Sequence, residues 1–532
     1  MIERRVRWFG LLAAIVLLDA AVTFENLWPT PAVTWQGKLS IELALAILVL
    51  AIVSGWTMLH ARRTARWLTV AWVVLVVGRY AEVTAPALYG RDVNLYWDLR
   101  FIPDVVSMVT KVAPPWLVAL ALAGVALIFL LLYVLLRSAW RRVVSATADP
   151  RERRVALAAA AAVFALFLAE RAIGSVPGLP SFAAPVTRTY ARQARFVIGA
   201  MSGSTALAAS PAMDSDLAQV KGADVFVVFV ESYGAISYDR PDIAQPLATA
   251  RTQLATAVRE TGQDVVSAFV ESPTFGGSSW LAHLSLMSGI EVRDPDTNAQ
   301  LMTAHRDTLV RAFSRRGFRT IALMPGLRQH WPEGSFYGFD DIYGADRLAY
   351  RGPEFGWFAI PDQFSLARLD ALEVDRPSRP PLFVFFPTIS THFPFSPTPP
   401  YQPDWRRMLT DDHPYDGPAI VRAYAHQPNW TDFSPGYVEA MAYDLALIGG
   451  YLRVHADRDL VLIVLGDHQP PAAVSGEGAP WDVPVHVIAR RKVVLDQLLT
   501  RGFRNGLAPQ RPALGAMHSL LPILLDAFGE RP

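Results

Sequence analysis

Five long apolar stretches fill the first third of the chain, and no comparable stretch follows residue 175. Each is close to the roughly 20 residues that a helix needs to cross a bilayer. The first is not followed by a convincing cleavage site, so it is interpreted as an anchor and not as a removable signal peptide. The predicted spans are residues 8–24, 39–59, 67–87, 115–137 and 154–173.

Basic residues between these stretches predict the orientation of the chain in the membrane. Clusters precede the first span and separate the second from the third and the fourth from the fifth, whereas the alternate loops are mixed in charge. By the positive-inside rule the N-terminus is cytoplasmic, and an odd number of spans places everything after about residue 175 outside. The basic residues are Arg4, Arg5, Arg7, Arg62, Arg63, Arg66, Arg141, Arg142, Arg151, Arg153 and Arg154.

Two features near the outer face of this region have simple interpretations. Arg79 and Glu82 are three residues apart on one face of the third span, and an interfacial ion pair between them is favoured over a lipid-headgroup contact. Thr187 to Met201 reads as a basic amphipathic helix. The predicted division is a transmembrane domain at 1–174, a juxtamembrane helix and linker at 175–221, and an extracytoplasmic domain at 222–532.

Composition excludes several kinds of chemistry. The 532-residue chain contains no cysteine, which rules out disulfides, thiolate catalysis and cysteine-ligated zinc. Its net charge of +1 provides no field that would attract a polyanion, so nucleic acid is not expected as a partner.

From residue 223 onward, short apolar runs alternate with helical patterns. Continuous apolar strands separated by helices are typical of a mostly parallel sheet that is covered on both faces, so we expect a three-layer α/β sandwich. The predicted strands are Asp224–Val230, Asp264–Val270, Thr320–Met324, Leu382–Pro387, Leu460–Leu465 and Val483–Ala489. The predicted helices include Leu247–Thr261, Leu281–Ser288, Thr308–Arg316 and Tyr437–His455.

Polar residues follow four of the predicted strands. Since ligands of such sheets bind outside the carboxyl ends of strands, these residues are expected to converge. Asp467 and His468 follow a buried strand, and a carboxylate beside an imidazole suits a divalent ion. Glu231 ends another strand, where it either caps a helix or binds the same ion. Together the three residues favour a metal site.

A glycine-rich loop, Gly276-Gly277-Ser278-Ser279, leads into an apolar helix. Backbone N–H groups and the helix dipole favour an anion at such a helix start, where a phosphate or sulfate ester could be attacked. Thr274, Ser278 and Ser279 are the candidate hydroxyls. Each could instead serve as an N-cap or turn residue, but a metal ion close by would make one of them a nucleophile.

Further candidates lie outside this loop. His392, in Thr391-His392-Phe393-Pro394, could bind a phosphoryl oxygen or donate a proton to a leaving group. His283 lies on the helix that follows the loop, which favours packing or an indirect role. Trp331 could line a pocket, although aromatic clusters more often belong to a core.

The ordered set of Glu231, Gly-Gly-Ser-Ser, Ser-Thr-His-Phe-Pro and a late Gly-Asp-His resembles the sulfatase-like branch of the alkaline phosphatase superfamily. With the N-terminal spans, it looks most like the membrane-anchored lipoteichoic acid synthase and phosphoglycerol transferase group, and phosphoethanolamine transferases are similar in architecture.

By position, this resemblance implies site roles. Metal ligands fall on Glu231, Asp467 and His468, with the nucleophile Ser279 as a further ligand, and substrate-binding residues fall on His392 and Trp331. The spacing of ten residues to Gly289 selects Ser279 as the nucleophile, whereas alignment on the preceding glycine would select Ser278. One divalent ion, Mn, Mg or Zn, is the implied cofactor.

The function that this resemblance implies is transfer of a phospholipid headgroup, phosphoglycerol or phosphoethanolamine, through a covalent serine ester. The expected partners are a membrane phospholipid donor, a glycan or lipid acceptor and the lipid bilayer, at the periplasmic side of a bacterial cytoplasmic membrane. The alternatives are a phosphodiesterase or sulfatase-type hydrolase and a catalytically inactive membrane-bound sensor.

Overall fold

A computed structural model describes residues 2–28, 30–56, 60–90, 92–94, 98–99, 102–173, 181–202, 207–328, 331, 334–410 and 414–530. The chain divides into two compact units. The N-terminal unit comprises Met1–Leu88 and Asp92–Ser202, and the C-terminal unit comprises Tyr89–Arg91 and Gly203–Pro532.

The N-terminal unit is helical, and four of its helices are long and apolar enough to cross a membrane. The second predicted span forms a helix of 16 residues. At about 1.5 Å per residue it is shorter than the ~30 Å hydrocarbon core, so within the described residues the structure has four full-length candidate spans where the sequence predicts five. The helices are α1 (Ile2–Thr23), α2 (Ile41–Trp56), α3 (Ala61–Tyr89), α4 (Ile102–Val112), α5 (Pro115–Ala148), α6 (Pro150–Ile173) and α7 (Pro185–Ser202).

Ion pairs in the N-terminal unit differ from the predicted Arg79 and Glu82 pair. The Arg79 guanidinium lies 2.7 Å from Glu25, which follows α1, whereas Glu82 pairs with Arg192 of α7. The prediction from i,i+3 spacing is therefore wrong, because partners on neighbouring elements take both charges. Helix α7 contains the predicted amphipathic helix, Thr187 to Met201.

The C-terminal unit is built on one eight-stranded sheet. All six predicted strands are present with ends within one residue, and two short strands that lack an apolar run, β4 and β8, were not predicted. The strands are β1 (Asp224–Val230), β2 (Asp264–Glu271), β3 (Arg319–Leu323), β4 (Asp341–Tyr343), β5 (Leu382–Pro387), β6 (Leu460–Gly466), β7 (Asp482–Ala489) and β8 (Arg504–Asn505). Their order across the sheet is β8-β2-β7-β6-β1-β5-β3-β4.

The sheet is mixed, although six of its eight strands run in one direction. Strand β7 is antiparallel to both β6 and β2, and β8 is antiparallel to β2. The chain turns back between β6 and β7 at the carboxyl edge instead of crossing the sheet, which reverses β7. The carboxyl ends of β1, β2, β5 and β6 still meet at one edge, as the sequence predicts.

Both faces of this sheet are covered, as the burial of alternate residues of the central strand on opposite sides shows. Val225, Val227 and Phe229 belong to one buried cluster, and Phe226 and Val228 belong to the other. The unit is therefore the expected three-layer α/β sandwich. Its helices longer than one turn are α8 (Ala248–Glu260), α9 (Ser279–Ser288), α10 (Pro295–Thr303), α11 (Leu309–Arg315), α12 (Asp362–Leu369), α13 (Gly417–Ala425), α14 (Ser434–Val454), α15 (Lys492–Thr500) and α16 (Leu520–Phe528).

Candidate active site

The register of β1 against β6 brings the first group of candidate residues together. Val230 pairs with Gly466 at the end of the two parallel strands, so Glu231 and Asp467 emerge side by side. A side chain at position 466 could not be accommodated, because a Cβ there would lie 1.9 Å from the carbonyl oxygen of Tyr233. Gly466 thus permits the close approach of the two strand ends.

Glu231, Asp467 and His468, called here the ligand cluster, form a compact buried group. One ligand atom from each lies within 4.8 Å of the others. The Nε2 atom of His468 is 3.3 Å from Glu231 Oε1 and 3.8 Å from Asp467 Oδ2. Two carboxylates and one imidazole converging on one point are the donors that a divalent ion takes.

A backbone contact fixes the orientation of the His468 ring. Its Nδ1 atom lies 2.7 Å from the carbonyl oxygen of Gln469, which can only accept, so Nδ1 carries the proton. Nε2 is then the atom that faces the cluster. This arrangement, in which the second nitrogen donates to a carbonyl, is common for metal-binding histidines.

The glycine-rich loop delivers Ser279 to this cluster. The loop turns through left-handed backbone conformations at Gly276, with φ of 66°, and at Ser278, with φ of 62°. It is braced where the Thr274 hydroxyl donates to the Gly277 carbonyl at 2.6 Å. Thr274 is therefore occupied in holding the turn.

The two neighbouring serines differ in their surroundings. The Ser279 hydroxyl donates to Glu231 Oε2 at 2.9 Å and lies 3.2 Å from His468 Nε2. Ser278 takes the N-cap position of α9, and its side chain makes no capping hydrogen bond. Ser279 is thus the serine whose hydroxyl contacts the ligand cluster.

Burial and mutual interaction shift the pKa values of all three residues of the ligand cluster. Burial and the charge of Glu231 raise the pKa of Asp467 to about 8. Burial alone would lower the pKa of His468, but the two carboxylates raise it to about 9. Burial also disfavours the Glu231 carboxylate, yet the charge of His468 outweighs this and holds the pKa of Glu231 below its usual value.

The residues fit a divalent cation by the chemistry of their donor atoms. Besides burial, the Glu231 carboxylate opposes ionisation of Asp467 beside it, so it raises the pKa of Asp467. A cation bound between the two carboxylates would offset this repulsion. Two carboxylates and one imidazole are also ligands that divalent ions take.

Residues 388–395, called here the His392 segment, follow β5 at the same edge. Asp362 accepts hydrogen bonds from the backbone N–H groups of Ile389 and Ser390, at 3.0 and 2.7 Å. Buried Asp444 accepts from the Thr391 hydroxyl at 3.0 Å. Two buried carboxylates thus hold the loop that carries His392.

His392 itself is partly exposed. Its Nδ1 atom lies 2.7 Å from the carbonyl oxygen of Phe393, which directs Nε2 away from the backbone. The ring packs edge-on against Phe358, with centroids 4.9 Å apart, and both side chains line a small cleft with Ser390. His392 therefore presents one ring nitrogen for an outside partner.

Thr388 joins the two groups and was not predicted from the sequence. Its hydroxyl accepts from the Glu231 N–H at 3.1 Å and donates to Asp444 at 3.1 Å. Within the ligand cluster, Asp467 Oδ1 accepts a hydrogen bond from the Ser232 N–H at 2.8 Å. The only sequence signal for Thr388 is a hydroxyl directly after a buried strand.

Two ring-bearing candidates, His283 and Trp331, pack against neighbouring side chains or backbone. His283 is buried on α9 with its ring against Phe229, at a centroid distance of 4.6 Å, and burial lowers its pKa to about 3. Trp331 packs against Tyr337 and Gly334. His283 is a packing residue here, and a substrate contact by Trp331 stays a prediction.

Comparison with known proteins finds matches among solved structures alone. No protein-family model matches the chain, and no curated protein matches it either. The lipooligosaccharide phosphoethanolamine transferase EptA of Neisseria meningitidis is 14% identical, with 91% of this chain and 87% of that chain covered and a TM-score of 0.49. The lipoteichoic acid synthase LtaP of Listeria monocytogenes is 14% identical, with 62% and 79% covered and a TM-score of 0.37.

The phosphoglycerol transferase GacH of Streptococcus pyogenes is 12% identical, with 63% of this chain and 90% of that chain covered and a TM-score of 0.33. These structural neighbours are sulfatase-like enzymes of the alkaline phosphatase superfamily. With TM-scores below 0.5 and identities of 12–14%, these likenesses carry no argument about the substrate or the reaction of this chain.

Proposed function

We propose that this protein is a membrane-anchored, metal-dependent transferase that moves a phospholipid-derived headgroup to a glycan or lipid acceptor through a covalent Ser279 ester. The observation that carries the proposal is the position of the Ser279 hydroxyl, at hydrogen-bond distance from both Glu231 and His468. Phosphoglycerol and phosphoethanolamine are the candidate headgroups.

Glu231, Asp467 and His468 would hold the divalent ion, Mn, Mg or Zn, with the Ser279 oxygen as a further ligand. When bound, the ion would lower the pKa of the serine hydroxyl and offset negative charge on the phosphoryl group. Ser279 is the first residue of α9, and the unpaired N–H groups of a helix's first turn favour an anion.

In the first half-reaction, Ser279 Oγ attacks the phosphorus of the lipid phosphodiester. A bond forms from Oγ to phosphorus, and the bond from phosphorus to the diacylglycerol oxygen breaks. The Ser279 proton is lost to solvent, because Glu231, to which the hydroxyl donates, has a pKa below its usual value and is a poor proton acceptor. The departing oxygen takes up a proton, for which His392 is the proposed donor, and diacylglycerol is released.

In the second half-reaction, an acceptor hydroxyl attacks the phosphoserine. The new oxygen to phosphorus bond replaces the bond to Oγ, the acceptor loses its proton, and Ser279 recovers one. Water in place of the acceptor would give hydrolysis with the same first half-reaction. The identity of the group that enters in this step therefore distinguishes a transferase from a hydrolase.

The proposed setting is a bacterial cytoplasmic membrane with the C-terminal unit on the periplasmic side. The four long apolar helices support membrane insertion. We propose that α2 crosses as well, since five crossings and a cytoplasmic N-terminus agree with the distribution of basic residues. Anchoring keeps the enzyme close to its lipid donor.

Product analysis tests the transferase proposal. Purified protein is incubated with headgroup-labelled phospholipid, a divalent ion and a candidate glycan or lipid acceptor. We expect diacylglycerol and labelled acceptor in equal amounts. Release of the label solely as free alcohol phosphate, whichever acceptor is supplied, would contradict transfer and favour a phosphodiesterase, and absence of any turnover would favour an inactive sensor.

A further inference from the structure

The N-terminal unit contains a cavity that the proposed chemistry does not use. Its volume is about 540 Å³, within the range of roughly 300 to 1,000 Å³ that is usual for ligand pockets. Charged side chains from separate segments of the unit line it. They are Glu25, Lys38, Arg79, Glu170, Arg171 and Arg188.

These charges do not cancel. Glu25 is shared by two cations, since it lies 2.7 Å from the Arg79 guanidinium and 3.3 Å from Lys38 Nζ. In the described part of the chain, neither Arg171 nor Arg188 has an ion pair or side-chain hydrogen bond with the protein. With four cations and two carboxylates, the lining has an excess of two positive charges. The cavity is therefore suited to an anion.

Apart from Thr187, the remaining lining residues are apolar, which argues against a small soluble anion. The rings of Phe167 and Phe182 and the side chain of Ala183 face the cavity. The Arg171 guanidinium lies 5.4 Å from the centroid of the Phe167 ring, so a cation and an apolar surface meet at one wall. A ligand that is both anionic and apolar would use the whole surface.

The cavity lies at the ends of the membrane helices. Glu25 follows the end of α1, and Glu170 and Arg171 belong to the last turn of α6. Such positions correspond to the level of lipid headgroups, where phosphates are present at high local concentration. The expected ligand is thus already concentrated at this depth.

From these observations we infer that the cavity binds the phosphodiester headgroup of a membrane phospholipid, with Arg171 and Arg188 on the phosphate and Phe167 and Phe182 against the glycerol and acyl region. The site depends on the N-terminal unit lying in a bilayer and not on the chemistry of Ser279. It can therefore be tested separately from the transferase proposal.

The cavity wall is formed by separate segments of the N-terminal unit, so a bound ligand is expected to stabilise the unit. A short parallel pairing joins Leu39–Ser40 to Phe182–Ala183, so the wall combines the segment before α2 with the segment before α7. The lipid would bridge α6 and α7 through Arg171 and Arg188. Binding is expected to raise the thermal unfolding midpoint of the protein in a lipid-dependent manner.

The test uses full-length protein carrying Ser279→Ala, so that covalent capture at the active site is not counted. Native mass spectrometry measures binding of dioleoylphosphatidylglycerol to this protein and to its Arg171→Gln/Arg188→Gln derivative. We expect the derivative to bind at least about tenfold more weakly, since two charge-assisted contacts are lost. The matched control is Arg141→Gln/Arg154→Gln, which removes the same charge from exposed positions and should change binding by less than about twofold.

Two further comparisons keep the result interpretable. The Arg171→Lys/Arg188→Lys derivative keeps the charges and should retain most of the affinity, whereas an equal loss in the Lys and Gln derivatives would overturn a phosphate contact. Dioleoylglycerol, sn-glycerol 3-phosphate and inorganic phosphate should not compete with the phospholipid. Full competition by either soluble phosphate would overturn the assignment to a lipid, and equal binding by wild-type and Gln derivatives would overturn the site itself.

Discussion

The ligand cluster and the His392 segment lie at the same edge of the sheet, yet they are held in place differently. Glu231 and Asp467 are the first residues after two paired central strands, so the sheet itself fixes them. The His392 segment is a loop whose backbone is held by two buried carboxylates, Asp362 and Asp444. The comparison suggests that the sheet holds the two carboxylates of the ligand cluster rigidly, whereas the residue proposed to protonate the leaving group depends on supporting hydrogen bonds.

The largest expected effect separates the two adjacent serines. Ser279→Ala removes the proposed nucleophile, so headgroup release from phospholipid should fall by at least about 1,000-fold. Ser278→Ala, the matched control one residue away, should keep activity within about threefold. The rates of headgroup release by the two variants are compared at equal metal content. A larger loss in Ser278→Ala than in Ser279→Ala would identify Ser278 as the nucleophile.

A second, smaller effect distinguishes ligands from other carboxylates at this edge. Glu231→Gln should lower both bound divalent metal and activity by more than about 100-fold, which exceeds the usual effect of altering an indirect metal contact. Glu271→Gln changes an exposed carboxylate at the end of β2 and should leave both unchanged. Metal analysis of the purified proteins gives the amount of bound divalent ion per chain. An unchanged amount in Glu231→Gln would contradict the ligand cluster as a metal site.

The His392 segment is tested by the choice of leaving group. His392→Gln should reduce release of diacylglycerol by about 100-fold, the lower end of what a positioned acid contributes. The leaving group of a nitrophenyl phosphodiester departs without a proton, so the same variant should cleave this substrate less than about tenfold more slowly than the wild type does. An equal loss on both substrates would instead assign His392 to binding of a phosphoryl oxygen.

The link between the two regions predicts a more modest change. Thr388→Val removes the hydroxyl that joins the Glu231 N–H to Asp444, so two buried hydrogen bonds are lost. Activity should fall by about tenfold, because the buried Glu231 N–H is left without this partner. Thr391→Val loses a hydrogen bond to the same carboxylate without touching Glu231. The metal content of Thr391→Val should therefore equal that of the wild type, whereas the metal content of Thr388→Val should be lower.

The last effect is on stability and not on activity, and it concerns the carboxylate that holds the His392 segment. Burial raises the pKa of Asp362 to about 7, so folding favours its protonated form. This contribution to stability is complete below the ordinary aspartate pKa near 4 and is lost as the pH rises from about 4 to 7. Over this window the wild type should lose stability relative to Asp362→Asn by up to about 1.4 kcal/mol per pH unit. If the unfolding midpoints of the wild type and of Asp362→Asn changed in parallel with pH, the raised pKa of Asp362 would be contradicted.

The sequence predicted the parts of the site that follow directly from buried strands. Asp467-His468 and Glu231 were identified because each comes after an unbroken apolar run, and β1 and β5 were predicted with their observed ends. The structure supplies what spacing could not, namely the pairing of Val230 with Gly466 that sets Glu231 beside Asp467.

Other features were beyond sequence reasoning for physical reasons. Thr388 and Asp444 are ordinary polar residues in the sequence, and they acquire importance solely because β5 and α14 bring them together near Glu231. Strand β8 has two residues and no apolar pattern. Hydropathy likewise marks the second apolar stretch without revealing that its helix spans 16 residues.

The central claim is that Ser279 carries the transferred group. The most direct measurement is mass spectrometry of the purified protein after incubation with phospholipid and a divalent ion, without an acceptor. We predict a phosphoryl headgroup adduct on Ser279 within the peptide from Gly276 to Arg293, absent from Ser279→Ala and present in Ser278→Ala. Steady release of diacylglycerol with no adduct at this serine in any time sample would contradict a covalent Ser279 intermediate.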